Sequence, residues 1–392
     1  MPAETPVESK RKVGRGELAP GCPAHAGADG VWTVQDYSGA RAVLRSTETR
    51  QAGFGIEHAA RMEGRMRLPV LYRDGVEHRE HRRQTAKYFT PRRVDTAYRS
   101  LMDRLADEQC DKLRRQGEAD LSQLSFALAV AVAGEVVGLT ESRRGGMAKR
   151  LDRFFEENVE GPAYRPKVLL GKLRSSTTVA AFYWRDVRPS IVARRRQSRD
   201  DLISHLIGEG CSNSEILGEC VTFAAAGMIT TREFITVVAW HLFTDDELRR
   251  AYTEGGEKER VAVLHEILRL EPVVANLARW ATADIELGAV TIPAGARVDV
   301  GVAAANLDTE AVGADPGAVC PARPMGDGVG DAGLSFGDGP HRCPGAYIAI
   351  QETDIFLSKL FAMPGLRMVR EPTVGIRAEI ASYELSGLRV AI

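Results

Sequence analysis

Phe336-Gly337-Asp338-Gly339-Pro340-His341-Arg342-Cys343-Pro344-Gly345 runs directly into a helix-like stretch from Ala346 to Phe361. A cysteine just ahead of a helix meets free backbone N–H groups and the positive end of the helix dipole, and both favour a thiolate. Pro344 suits a first helical turn, where its missing N–H is not needed. Gly337, Gly339 and Gly345 let backbone approach a flat ligand closely, and Pro340 stiffens the loop. The local chemistry leaves two readings for Cys343: a core cysteine in an ordinary loop-to-helix turn, or a thiolate offered to haem iron.

Outward from this loop, three further clusters stand out. Glu266 and Arg269 are three apart on a predicted helix, so their side chains meet on one face as a charge-assisted pair. His78 and Arg82 are four apart and project from one helix face, where two donors can grip an anion, and Phe89-Thr90-Pro91 follows them. Residues from Ser212 to Phe243 read as one long helix, opened by a capping box of Ser212 and Glu215. Its middle is Ala224-Ala225-Ala226-Gly227-Met228-Ile229-Thr230-Thr231. As plain structure these clusters are a solvated ion pair, a basic helix face, and a tight helix contact in which a threonine bonds back to a carbonyl.

Composition narrows the classes. The 392 residues carry a formal net charge of −1, which gives no global basic field of the kind that nucleic-acid binding uses. The six cysteines include no Cys-x-x-Cys pair, so zinc ribbons and dithiol redox motifs lack their spacing. Residues 1–30 are polar, without the apolar run of a signal peptide or membrane anchor, and read as a flexible arm on a cytoplasmic protein; the length suits one large domain or two modest ones. Helical periodicity dominates from Val34 to Leu270. Short β-type runs follow at 285–292 and 297–302 around Pro293-Ala294-Gly295, then an irregular stretch at 306–335 and a last strand at 387–390. Gly326-Asp327-Gly328-Val329-Gly330 has neither a strand before it nor a helix after it, so it is no dinucleotide fingerprint.

Phe336, Gly339, His341, Cys343 and Gly345 together match the haem-binding signature of the cytochrome P-450 family, and from about Val31 to the end the chain resembles that family, which implies a single catalytic domain over residues 31–392. The resemblance implies a mainly α prism with a smaller β-rich lobe, haem lying between the long central helix and the cysteine loop. It implies that Cys343 ligates the iron of haem b (iron-protoporphyrin IX), that His78, Arg82, Arg279 and His341 anchor its propionates, and that Thr230 guides protons. Glu266 and Arg269 resemble the family's Glu-x-x-Arg brace, with Arg323 as the expected third member. Pocket walls are implied at 53–71, 154–184, 273–277 and 381–383, with Met228, Ile229, Val274 and Asn276 as substrate contacts; Arg61, Arg65 and Arg67 are candidates for meeting an acidic substrate.

The implied activity is insertion of one oxygen atom of dioxygen into a small organic molecule, in biosynthetic tailoring or catabolism. Electrons would come from a separate ferredoxin and ferredoxin reductase docking near Arg342. One departure matters. Relatives usually carry an acid immediately before the threonine, and this chain has Ile229, which cannot relay a proton. Proton delivery would then fall to the substrate, to water with Thr230, or to Glu233. The same departure leaves open a peroxide-driven oxidase or an oxidative C–C or C–N coupling enzyme, and outside catalysis a haem-binding sensor.

Overall fold

The computed structural model describes residues 11–14, 24–54, 56, 67–142, 146–156, 177–377 and 380–392. Helices at Arg99–Gln116, Leu121–Val137, Thr230–Thr244, Glu257–Leu270 and Ala346–Phe361 share the largest apolar cluster. Leu121–Val137 is apolar on nearly every face, which is the composition of a helix surrounded by others. Its neighbour Arg99–Gln116 is amphipathic and buries Met102, Ala106, Cys110 and Leu113, with Leu105 packed at the margin of the same cluster. Both stop at a left-handed glycine, Gly117 at φ 72° and Gly138 at φ 98°, whose backbone reaches conformations that a side chain would resist.

The β-rich lobe centres on a five-stranded sheet. Its strands are β1 (Ala24–Ala26), β2 (Trp32–Val34), β3 (Thr49–Gln51), β4 (Asn276–Ala281) and β5 (Arg297–Gly301), in the order β1-β2-β5-β4-β3. Within it only β2 and β5 run parallel. The turn at 293–295 behaves as its sequence predicts, with Gly295 at φ 82° between the hairpin strands Ile285–Leu287 and Val290–Ile292 and the start of β5. The last strand is Arg389–Ala391.

Among the described residues helix dominates from Val34 to Leu270, as the periodicity predicts, interrupted by two short strands: Thr49–Gln51 pairs with β4, and Glu118–Asp120 pairs with the closing strand. Three-residue strands are too short to show an alternating pattern. One expectation needs correction: the first thirty residues are not simply an arm. Ala24–Ala26 forms the sheet edge, and Val13, 2% exposed, joins the main core. The backbone N–H groups of Lys12 and Val13 both donate to the buried Glu271 carboxylate, so charge and one apolar side chain hold a segment whose composition is polar.

The central helix runs over Asn213–Thr244 but is not uniform. α-Helix over Asn213–Ala224 opens into a wide π-type turn at Ala225–Ile229 before α-helix resumes at Thr230. Ser212 N donates to Glu215 Oε2 at 2.7 Å and Glu215 N to Ser212 Oγ at 3.3 Å, the reciprocal capping box. Among the described residues this is the one helix long and apolar enough to cross a membrane, but 65% of its most apolar window is buried inside the protein, as in a core helix.

Candidate active site

The cysteine loop is pinned before the helix begins. Cys343 N donates to Phe336 O at 2.8 Å, and Asp338 accepts from Gly339 N (2.7 Å), Arg45 Nε (2.8 Å) and Arg41 Nε (3.2 Å). Gly339 has φ 64°, and a Cβ there would lie 2.4 Å from Leu44 O, so only glycine lets the loop press against helix Tyr37–Arg45. Helix Ala346–Phe361 takes Gly345 as its N-cap, which places Pro344 just ahead of the cap and not in the first turn. The Cys343 side chain is exposed, yet burial pushes its thiol up, against a backbone hydrogen bond at Gly345 and the charges of Arg82 and Arg342. Both hold if the sulfur faces space enclosed by protein. There a metal bond, not solvent, would stabilise the anion.

Around this sulfur the structure brings together the residues expected to hold propionates. The rings of His78 and His341 stack with centroids 4.0 Å apart. His341 Nε2 lies 2.8 Å from Asp74 Oδ1, and Asp74 Oδ2 accepts from Gln51 N at 2.9 Å. Gln51 is the cross-strand partner of Arg279. Arg82 Nη2 donates to Arg342 O at 2.6 Å, close enough to Cys343 for its guanidinium to sense the sulfur's charge.

These donors are under-satisfied. His78 is buried, its Nδ1 has no hydrogen-bond partner, and burial, then His341 and Arg82, push its pKa down to about 3, so the ring is neutral. Arg279, 3% exposed, donates to Ala278 O at 2.8 Å and, among the described residues, has no carboxylate at ion-pair distance; burial lowers its pKa to about 10. A cation held this way is costly unless an anion joins it. A dicarboxylate macrocycle whose iron meets Cys343 fits both the orphaned nitrogen and the unpaired guanidinium.

On the central helix, Ala226 is exposed and Gly227 and Thr230 are half-buried in the middle of an otherwise interior rod. Thr230 Oγ1 donates to Ala226 O at 2.6 Å, leaving its lone pairs to accept from a donor beyond the helix. Met228 and Ile229, expected as substrate contacts, are 0% and 1% exposed, and Met228 packs into a second apolar cluster. The wide turn shifts the side-chain phase, so the accessible stripe is Ala226, Gly227 and Thr230. Glu233 is no substitute proton donor: Arg232 Nε donates to its Oε1 at 2.9 Å and Leu385 N to its Oε2 at 2.7 Å.

Strand alternation corrects a third substrate contact. Leu277 shares the parity of Arg279 and lies 3.6 Å from where a Gly337 Cβ would sit, so the odd positions face the cysteine loop. Asn276 points the other way and donates to Asp299 Oδ2 at 2.8 Å. Val274 is half-buried and bridges Ser382, joining the expected walls 273–277 and 381–383. Of the other walls, residues 57–66, with Arg61 and Arg65, and 157–176 lie outside the described residues. Arg67 donates through its backbone to Glu215.

The brace forms as expected. Arg269 Nε and Nη2 reach the two Glu266 oxygens at 2.7 and 2.8 Å, and Arg323 Nε reaches Oε1 at 3.1 Å. Asn306 was missed. It accepts from Arg269 Nη1 and Leu334 N at 2.7 Å each and donates to Ser335 Oγ at 2.8 Å, linking the brace to the residue before Phe336.

The cytochrome P450 family model matches residues 261–363, which span the brace and the cysteine loop. Erythromycin C-12 hydroxylase of Saccharopolyspora erythraea is 28% identical over 348 residues, covering 86% of this chain and 82% of its own. Mycinamicin IV hydroxylase/epoxidase of Micromonospora griseorubida is 28% identical over 350 residues, covering 86% and 83%. The crystal structure of CalO2 superposes with a TM-score of 0.78 at 22% identity, covering 94% of this chain and 92% of that one.

Proposed function

Because this chain belongs to the cytochrome P450 family and is a monooxygenase of that family, we propose that it inserts one oxygen atom of dioxygen into a small secondary metabolite in the cytoplasm. Cys343 would ligate the iron of haem b, with His78, Arg82, Arg279 and His341 holding the propionates. Bound there, the haem supplies reductive activation of dioxygen, with sulfur donating electron density to the iron. A separate ferredoxin, served by its reductase, would deliver electrons at the exposed Arg342. The observation that carries this reading is the convergence of a sulfur facing enclosed space with an unpaired buried guanidinium and an orphaned imidazole nitrogen.

The chain's own residues have defined tasks. Arg279 and His78 orient the cofactor through fixed donors, Asp338 holds the sulfur's loop, and Thr230 accepts a hydrogen bond and passes a proton from water. The small side chains at 226 and 227 leave room for substrate beside that hydroxyl. Two relatives are named as a hydroxylase of erythromycin at C-12 and a hydroxylase/epoxidase of mycinamicin IV, which supports a hydroxylated small molecule as the product. The test is the reduced, carbon monoxide-treated protein, which should show the long-wavelength Soret band of thiolate-bound iron, followed by turnover under labelled dioxygen with a surrogate ferredoxin system, which should place label in the product.

A second reading draws on one observation: the helix presents no free carboxyl beside Thr230, because residue 229 is an isoleucine and Glu233 is engaged. That favours peroxide-driven oxidation, or oxidative coupling that leaves no labelled oxygen in the product. Turnover with peroxide alone, or unlabelled coupled product, would select it.

A further inference from the structure

Four fasteners hold residues 67–73 along the first turns of the central helix. Glu215 Oε1 accepts from Arg67 N at 2.7 Å. One turn on, Glu219 Oε1 accepts from Val70 N and from Arg73 Nη2, each at 3.0 Å. Gly218 sits between them, where a Cβ would come 3.1 Å from Pro69 Cγ, so the missing side chain lets the proline close on the helix. Tyr72 then ties the far end down by donating to Phe54 O at 3.0 Å.

Glu219 is the hub. It is 2% exposed, and the His81 ring, which burial holds neutral with its pKa lowered to about 4, places Nε2 3.6 Å away on the helix that carries His78 and Arg82. The chain leaving this strap becomes Asp74, which bonds His341, and then helix Gly75–Thr85. One carboxylate on the central helix thus contacts the end of the expected substrate wall, at Val70, and lies beside the helix expected to grip the cofactor, at His81. A buried carboxylate receiving a charged and a backbone donor is strong only while both remain, and it is expensive to leave unmet.

We infer that Glu219 is a positioning residue that straps residues 67–73 to the central helix and so sets how closely the substrate pocket closes. The inference rests on the haem-thiolate reading for its pocket readout but has a second readout that does not. No catalytic atom belongs to the strap. Loosening it therefore weakens substrate binding while the sulfur's loop and Thr230 stay in place.

The experiment compares wild type, Glu219→Ala and Glu219→Gln by backbone hydrogen exchange at Val70 and by Soret titration with 4-phenylimidazole. The alanine variant should exchange Val70 about tenfold faster and bind the probe about tenfold more weakly, with an unchanged carbon monoxide Soret band. Gln keeps an oxygen for Val70 N and should restore part of both. Unchanged exchange and affinity in both variants overturn the inference. Faster exchange with unchanged affinity also overturns it, by making the strap structural only. A wild-type Soret band lacking the thiolate signature would sink the haem reading, while the Val70 exchange rates would still judge the strap.

Discussion

Asp74 Oδ1 lies 2.8 Å from His341 Nε2, joining the start of the His78 helix to the cysteine loop. The same carboxylate takes Gln51 N, whose strand partner is Arg279. One acid therefore registers three separate stretches of chain against each other around the sulfur.

Replacing Arg279 by methionine should preserve the fold and accelerate haem loss. The guanidinium is buried without an ion-pair partner among the described residues. A charged hydrogen bond to a propionate is worth about 1.5–3 kcal/mol, which is roughly ten- to a hundredfold in dissociation rate. Transfer of haem to apomyoglobin measures it, and an unchanged rate would remove Arg279 from the anchor set.

Cys343→Ala should abolish the long-wavelength carbon monoxide band and turnover together. Gly339→Ala should damage the same band without touching the sulfur, because the new Cβ collides with Leu44 O and must adopt a left-handed φ. A Gly339→Ala protein with a normal spectrum would mean that the loop is not held against helix Tyr37–Arg45.

At Thr230 the expected defect is in coupling. Thr230→Ala should cut product formed per electron several-fold, and Thr230→Ser should retain most of it, since serine keeps the oxygen that accepts. Ile229→Asp should change coupling less than about twofold, because that position is buried away from the accessible stripe. A large rise in coupling with Ile229→Asp would show that a carboxyl at 229 reaches the site after all.

Arg323→Ala should destabilise the protein by about 1–3 kcal/mol, read from denaturant midpoints, because Glu266 loses one charged donor while keeping Arg269 and Cys320 N. The Val312, Ala314, Asp315 and Ala318 carbonyls would lose the same guanidinium.

Glu352 gives a pH prediction. It is 3% exposed, its Oε1 has no partner, and burial raises its pKa from 4.5 to about 8. The folded protein holds this proton while the unfolded chain releases it above 4.5. Stability is thus fullest below that pH and falls as pH rises toward about 8. Glu352→Gln should flatten that fall and stabilise at pH 8 by a few kcal/mol. An unaltered pH profile of the unfolding midpoint would count against it.

What the sequence discloses depends on the range of the interaction. The Glu266–Arg269 pair and the capping box at Ser212 are local spacings, and both form as expected; Arg323, 57 residues away and expected only from the family resemblance, also reaches Glu266. The errors come from phase and from distance along the chain. Asn276 was misplaced because strand parity becomes fixed only when Arg279 is known to face the loop. Met228 and Ile229 were misplaced because a wide turn leaves no mark in composition. Asp74, Asn306, Leu277 and the arginines that hold Asp338 acquire their roles from partners far away in sequence. For Asp74 a weak signal existed, an acid at the start of a helix.

The wide turn at Ala225–Ile229 makes the central helix two rods set out of step with each other. A single deletion within those five residues that restored an unbroken α-helix would rotate everything after it by about 100° relative to everything before it. Thr230 could then no longer share an accessible stripe with Ala226, and Arg232 and Glu233 would swing off the hairpin they grip. Homologous chains whose helices differ here by one residue should therefore be aligned from each end separately, with the gap placed in the turn.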